Sequence, residues 1–146
     1  MLYYKFEQER ELSSYPKEYT FWEAILKHNV ITNGAVVYHI PWLESFMYNY
    51  VHKTPDKIVI VHYGTEDYPS IAILEYTGEL FIYTVRCFKQ DKEAYYTTEY
   101  GAIVYQRQIK VGDMVQCVYN LRTLENRDVT VFRVQLGKEE RGSILE

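Results

Sequence analysis

The chain has 146 residues, of which 47% are hydrophobic, and this length and composition predict one globular domain, residues 1–146, with a substantial core. Its formal net charge of -4 comes from 20 acidic and 16 basic residues that are interspersed along the sequence. This pattern argues against a clustered basic surface, so we expect no nucleic-acid partner.

Charged residues between positions 5 and 11 leave the N-terminus without the apolar stretch of a secretory signal. No segment approaches the ~18 apolar residues of a membrane span. The sequence therefore predicts a cytoplasmic protein without membrane contact. Cys87 and Cys117 are too few for a disulfide framework and lack the spacing of a zinc site, so we expect free thiols, no metal and no other cofactor.

The first predicted element is a short helix that follows an N-terminal arm over residues 1–19. Thr20-Phe-Trp-Glu23 has the form of a capping box, in which the Thr20 hydroxyl accepts from the amide of Glu23 and the glutamate reaches back. Apolar residues then recur at helical spacing. The pattern predicts a helix from about 21 to 29.

A hairpin and a second helix follow. Asn33-Gly34 stands between two β-branched runs, a strong signal for a tight turn between strands near 30–32 and 35–39. Pro41 suits the first turn of a helix, and apolar residues repeat after it at positions three and four apart. We expect this helix to run from about 41 to 53.

The remainder of the chain predicts strands at short spacing. Turn signals separate the apolar runs. The predicted strands cover residues 57–63, 70–76, 79–87, 102–109, 114–121 and 128–136, and the polar segment 137–146 is expected to be a flexible tail. Helices followed by a run of strands predict an α+β fold, with two short helices packed on a mainly antiparallel sheet of about six to eight strands.

Three short motifs carry a resemblance to a known family. They are Thr54-Pro-Asp-Lys-Ile58, Tyr63-Gly-Thr-Glu-Asp-Tyr-Pro69 and Leu74-Glu-Tyr-Thr-Gly78. With their spacing, the segment Ala24 to Tyr83 resembles an uncharacterised family of small proteins from Bacillus and related bacteria, many of them predicted lipoproteins. The resemblance implies a similar fold and a bacterial or phage origin, and it implies no catalytic residue. The chain has no lipobox cysteine.

The end of the strand 57–63 is the first candidate site. His62 is followed by Glu66 and Asp67, and Asp56 precedes the strand. An imidazole beside carboxylates can bind a metal or act as an acid and base. The spacing fixes no ligand geometry, however, so we interpret the acidic residues as a solvated turn.

The second candidate site is the segment 88–101, a predicted connection of about 14 residues. It carries Tyr95, Tyr96 and Tyr100 among charged residues. Long connections are often functional, and tyrosines are enriched on surfaces that contact other proteins. The alternatives are a mobile loop and an extension of a strand.

We therefore predict a non-enzymatic, intracellular protein-binding module, such as a regulator or inhibitor, that uses Tyr95, Tyr96 and Tyr100. Its partner would be another protein, and a homodimer is compatible with the sequence. One alternative is a module that binds a small ligand in the crevice between helices and sheet. The other is a hydrolase that uses His62 and the neighbouring carboxylates.

Overall fold

A computed structural model describes residues 2–33, 36–64 and 67–138. The helices are α1 (Leu2–Ser13), α2 (Phe21–Leu26) and α3 (Ile40–Val51). The strands are β1 (Val30–Asn33), β2 (Val36–Tyr38), β3 (Asp56–Tyr63), β4 (Ser70–Tyr76), β5 (Phe81–Phe88), β6 (Ala94–Val111), β7 (Met114–Thr123) and β8 (Asp128–Lys138).

All eight strands form one sheet in the order β2-β1-β3-β4-β5-β6-β7-β8. Every neighbouring pair is antiparallel except β1 and β3, which are parallel and are connected through β2 and α3. The α+β prediction with a mainly antiparallel sheet is therefore confirmed. The turn of the predicted first hairpin includes Gly34, which lies outside the described residues, and so do residues 139–146 of the predicted tail.

Local sequence signals place α2 and α3 close to their predicted positions. The capping box of α2 is formed, because the Thr20 hydroxyl accepts from the amide of Glu23 and the Glu23 carboxylate accepts from the amide of Thr20. The helix is shorter than predicted, because His28 has a positive φ of 59°. Pro41 lies in the first turn of α3, as expected. Within the described parts of the chain, no helix is long and apolar enough to cross a membrane.

The N-terminal segment forms a helix where an arm was predicted. The apolar side chains of Leu2, Tyr3 and Phe6 are exposed, so α1 lacks the buried apolar stripe that signals a helix in sequence. Its buried residues are Leu12 and the polar Gln8. The Gln8 amide donates to the backbone oxygen of a β5 residue, which fixes α1 to the sheet.

A buried arginine of β5 holds the C-terminal end of α1. The Arg86 guanidinium donates to the backbone oxygens of Leu12, Tyr15 and Pro16 at 2.9, 2.6 and 3.0 Å. Tyr15 and Pro16 follow the end of α1 at Ser13, so the guanidinium connects both the last turn of the helix and the segment after it to the sheet. Burial lowers the pKa of Arg86 from its ordinary value. Among the described residues, its Nε has no hydrogen-bond partner.

The two faces of the sheet bury two separate cores. On one face, which we call the α1/α2 face, these helices cover a cluster that includes Ile31, Val61, Ile71 and Ile73. The opposite face of β1–β5, which we call the cavity face, is covered in part by α3. Its buried cluster also includes Leu121, Val131, Phe132 and Val134 of β7 and β8. The C-terminal strands therefore fold over the cavity face.

This bend is centred on β6, which takes part in two sheet segments. Residues 94–101 pair with β5, residues 101–111 pair with β7, and the register shifts between Gly101 and Ile103. A Cβ atom at Gly101 would lie 2.3 Å from the backbone oxygen of Arg122, so only glycine allows the strands to approach this closely. Most of the predicted connection 88–101 is strand, because β6 begins at Ala94, so the structure agrees with the alternative of a strand extension and not with a long loop.

Candidate ligand-binding site

Three polar residues form a row across the cavity face. In the strand registers Thr32 of β1 is paired with His62 of β3, and His62 is paired with Ser70 of β4. Paired residues point to the same face of a sheet, so the three side chains lie side by side. The Thr32 hydroxyl is hydrogen-bonded to Nδ1 of His62, which fixes the imidazole ring and leaves its Nε2 available to a ligand.

An apolar row lies next to the polar row. Ile60, Ala72 and Val85 are paired across β3, β4 and β5, two residues along each strand toward the interior. Together the two rows form one wall of a cavity of about 390 Å³, which we call the inner cavity. All the lining residues belong to strands, so the predicted crevice between helices and sheet is replaced by a space between two parts of the bent sheet.

The opposite wall comes from β7 and β8. The Gln116 amide donates to Oε1 of Gln135 at 3.1 Å and accepts from the Arg133 guanidinium at 3.3 Å. Val131 and Phe132 add apolar surface. No carboxylate is present among the described lining residues, whereas Arg133 contributes a positive charge. The inner cavity therefore favours neutral or negatively charged groups.

Tyr83 places a phenol in the wall of the inner cavity. Burial is the main cause that raises the pKa of Tyr83, so the hydroxyl stays protonated at neutral pH. Across the described part of the chain, the Tyr83 side chain has no hydrogen-bond partner. The Tyr83 side chain is partly buried and lines the inner cavity, so its hydroxyl is a candidate donor to a ligand.

A second pocket of about 480 Å³ adjoins the inner cavity, and we call it the mouth pocket. The two spaces share His62 and Ser70 in their walls. The mouth pocket is further lined by Asp67, Tyr68, Cys87, Phe88, Lys89, Gln90 and Lys92. Lys92 lies 3.5 Å from the Asp67 carboxylate and 5.9 Å from the centre of the Tyr68 ring. The mouth pocket therefore adds charged groups at one end of the inner cavity.

The predicted cluster of His62 with carboxylates is only partly assembled. Asp67 shares the mouth pocket with His62, but it is paired with Lys92. Asp56 lies at the other end of β3, about 20 Å away at ~3.3 Å per residue, and accepts from the Asn49 amide. Glu66 lies outside the described residues. Within the described ranges no three His, Cys, Asp or Glu side chains are grouped to hold a metal ion.

The two cysteines are free, as the sequence predicts. Burial is the main cause that raises the pKa of each thiol, and this lowers the thiolate fraction at neutral pH. Cys87 lines the mouth pocket with His62. A thiol with a raised pKa is a poor nucleophile at neutral pH. Cys87 therefore lacks the lowered pKa that a cysteine hydrolase needs in its nucleophile.

The three predicted interface tyrosines do not share a surface. They all lie on β6, where successive side chains alternate between faces. Tyr95 is paired with Cys87 on the cavity face and is 41% exposed. Tyr96 packs against the core of the α1/α2 face, and Tyr100, four residues later, shares that side.

Comparisons of the chain with protein-family models, with curated proteins and with solved structures return no match. The site is therefore defined by its geometry. Sequence reasoning singled out His62 but missed Thr32, Ser70, Ala72 and Tyr83. The period-2 pattern of β3 could have placed His62 and its neighbours on one face, but nothing local links them to β7 and β8.

Proposed function

We propose that this protein binds a small molecule with an apolar body and a polar group, and that the inner cavity is the binding site. The observation that carries the proposal is a space of about 390 Å³ with an apolar row, Ile60, Ala72 and Val85, beside a polar row, Thr32, His62 and Ser70. Ligand sites commonly measure ~300–1,000 Å³ and combine apolar walls with a few fixed polar groups.

The side chains of the site suit recognition better than reaction. His62 is oriented by Thr32, and the Tyr83 phenol is a neutral donor at physiological pH. The Cys87 thiol favours its protonated form, and Asp67, the one described carboxylate in the wall of the mouth pocket, is paired with a lysine. These groups can bind polar atoms of a ligand without a proton being transferred.

A cavity-filling substitution tests the proposal. Ala72 is 5% exposed and lies in the apolar row, so Ala72→Leu adds volume to the space that a ligand would occupy. The matched control is Ala102→Leu, at an exposed position of β6. Binding is measured by calorimetry with a panel of neutral, anionic and cationic amphipathic molecules of about 8–13 heavy atoms.

We expect at least one class of the panel to bind, with the affinity lost in Ala72→Leu and kept in Ala102→Leu. Saturation at 100 times Kd should stabilise the native state by about 2.7 kcal/mol, which also raises Tm. Binding that survives Ala72→Leu in a folded protein would place the ligand elsewhere. A panel without any binding member would overturn the proposal.

Protein binding is a second candidate function. The side chains of Leu2, Tyr3 and Phe6 on α1 are 63, 69 and 59% exposed, which gives one helix a solvent-facing apolar surface. Tyr95 remains the most exposed of the three tyrosines singled out in the sequence. A pull-down with the native chain and with Tyr95→Ala tests this candidate. Capture of the same partners by both proteins would exclude Tyr95 as an anchor. An origin in Bacillus-type bacteria or their phages and a cytoplasmic location stay predictions.

A further inference from the structure

The class of ligand can be narrowed if the proposed function holds. The inner cavity and the mouth pocket share His62 and Ser70, so one elongated molecule can occupy both spaces. Its apolar part would contact Ile60, Ala72 and Val85. Its polar end would pass the imidazole and the serine hydroxyl and reach the mouth pocket.

The charge of the mouth pocket favours an anion at that end. Lys89 and Lys92 line it, and Asp67 is the only described carboxylate in its wall. Lys92 is paired with Asp67 at 3.5 Å. Lys89 forms no ion pair with another described residue, so the described charged residues of the wall, Lys89, Lys92 and Asp67, carry one net positive charge. One unbalanced cation complements one negative charge.

Both lysines are held by the turn between β5 and β6. The Lys89 amide donates to the backbone oxygen of Glu93 at 3.0 Å, and the Lys92 amide donates to the backbone oxygen of Lys89 at 2.8 Å. The Lys17 ammonium also donates to the backbone oxygen of Lys92. The turn therefore holds the backbone of Lys89 and Lys92 beside the mouth pocket. Little backbone order has to be gained when an anion binds.

The volume of the inner cavity limits the length of the apolar part. At about 30 Å³ for each water-sized group, 390 Å³ corresponds to about 13 heavy atoms. Incomplete filling reduces this number. A linear or ring-containing chain of about 8 to 12 carbons fits the space.

We propose that the ligand is a medium-chain organic monocarboxylate, with its apolar chain in the inner cavity and its carboxylate at Lys89 in the mouth pocket. His62 and Ser70, where the two spaces meet, supply further polar contacts to the same group. Arg133, on the opposite wall, is the competing position for the carboxylate. Its guanidinium already donates to Gln116, whereas the Lys89 ammonium has no ion-pair partner among the described residues.

The test compares decanoate, decanol and decylammonium by calorimetry at neutral pH and low salt. These probes share a ten-carbon chain and differ in the charge of the head group. We expect decanoate to bind at least tenfold more tightly than decanol, and decylammonium to bind more weakly than decanol. Lys89→Gln should weaken decanoate at least threefold and leave decanol unchanged. Lys53→Gln, at another exposed turn position, is the matched control and should change neither affinity.

The outcomes separate this inference from the proposed function. Equal affinities for decanoate and decanol, both lost in Ala72→Leu, would show that the carboxylate is not recognised. The inner cavity would remain the binding site. Weaker decanoate binding in Arg133→Gln, with no effect of Lys89→Gln, would place the carboxylate at Arg133 and overturn its proposed position at Lys89. If none of the three probes binds, the proposal of a monocarboxylate ligand is overturned. If no molecule of the wider panel binds either, the proposed function is overturned as well.

Discussion

Replacement of Arg86 by methionine should destabilise the fold strongly. The substitution keeps an unbranched apolar stem but removes the guanidinium that donates to the backbone oxygens of Leu12, Tyr15 and Pro16. Hydrogen bonds to a charged group contribute about 1.5–3 kcal/mol each, so three contribute about 4.5–9 kcal/mol. Desolvation of the buried guanidinium offsets several kcal/mol of this gain. We expect a net loss of about 3–4 kcal/mol in the free energy of unfolding.

Urea denaturation followed by circular dichroism measures this loss, with thermal denaturation as a second readout. At about 2–4 °C for each kcal/mol in a chain of this size, Tm should fall by roughly 6–16 °C. Arg107→Met, at an exposed position of β6, is the control and should change the free energy of unfolding by less than about 0.5 kcal/mol. A loss below about 1 kcal/mol for Arg86→Met would show that the buried cation does not hold α1, and the reasoning would be refuted.

Three further predictions concern the bend, the phenols and a thiol. Gly101→Ala should lower the free energy of unfolding, measured by urea denaturation, by at least ~2 kcal/mol, because its Cβ would lie 2.3 Å from a backbone oxygen. Gly112→Asn, at an open turn position with φ of 64°, should lower it by less than ~1 kcal/mol. Equal losses would show that close approach of the strands does not require glycine at position 101. Burial raises the pKa of Tyr63 and of Tyr119 to about 12. A raised pKa in the folded state favours the neutral phenol, so this contribution to stability is fully present below about pH 10, the pKa in the unfolded chain, and is lost as the pH rises toward 12. Absorbance at 295 nm should show these two phenols ionising after the exposed tyrosines, and a single transition near pH 10 in the folded protein would contradict this. The Cys87 thiol should react with a disulfide reagent at pH 8 more slowly in the native protein than after unfolding, because burial raises its pKa. Equal rates would show that the thiol is not protected.

Local signals in the sequence were sufficient for α2, α3 and most strands. The capping box at Thr20 and Glu23 and the proline at position 41 act through neighbouring backbone atoms, and both lie where they were predicted. The strands follow from β-branched runs and turn residues, which are also local. The α+β class was predictable for this reason.

Features that depend on distant contacts were not predictable. Helix α1 is held by Gln8, whose partners lie 67 to 76 residues away, and by Arg86 at similar separation. No periodic pattern within α1 reports such contacts. The length of β6 was missed because its first half is polar and tyrosine-rich, and pairing with β5 overrides that composition.

The candidate site was found only in part for a related reason. His62 was recognisable as a titratable residue at a strand end, but the inner cavity exists because the sheet bends at Gly101 and brings β7 and β8 over β3–β5. A glycine within a strand can mark a bulge, a bend or a close approach of another backbone, so the sequence alone does not predict the bend. The sequence does not assign the tyrosines of β6 to opposite faces, because alternation of side chains applies only once the segment is known to be a strand.

The strand order also has a consequence for folding kinetics. Strands β3 to β8 are neighbours in both chain and sheet, and their connections contain between two and six residues, so each pairing closes a short loop. Strand β1 must instead pair with β3 across 22 intervening residues, 34–55. Pairing at this separation costs more chain entropy, so we expect the β1–β3 pair to form after the antiparallel pairs of β3 to β8. Thr32 and Val37, which line the inner cavity, join it only in that late step. A molecule bound there would act chiefly by slowing the reverse of this step, so it would lengthen the lifetime of the native state more than it would speed its formation.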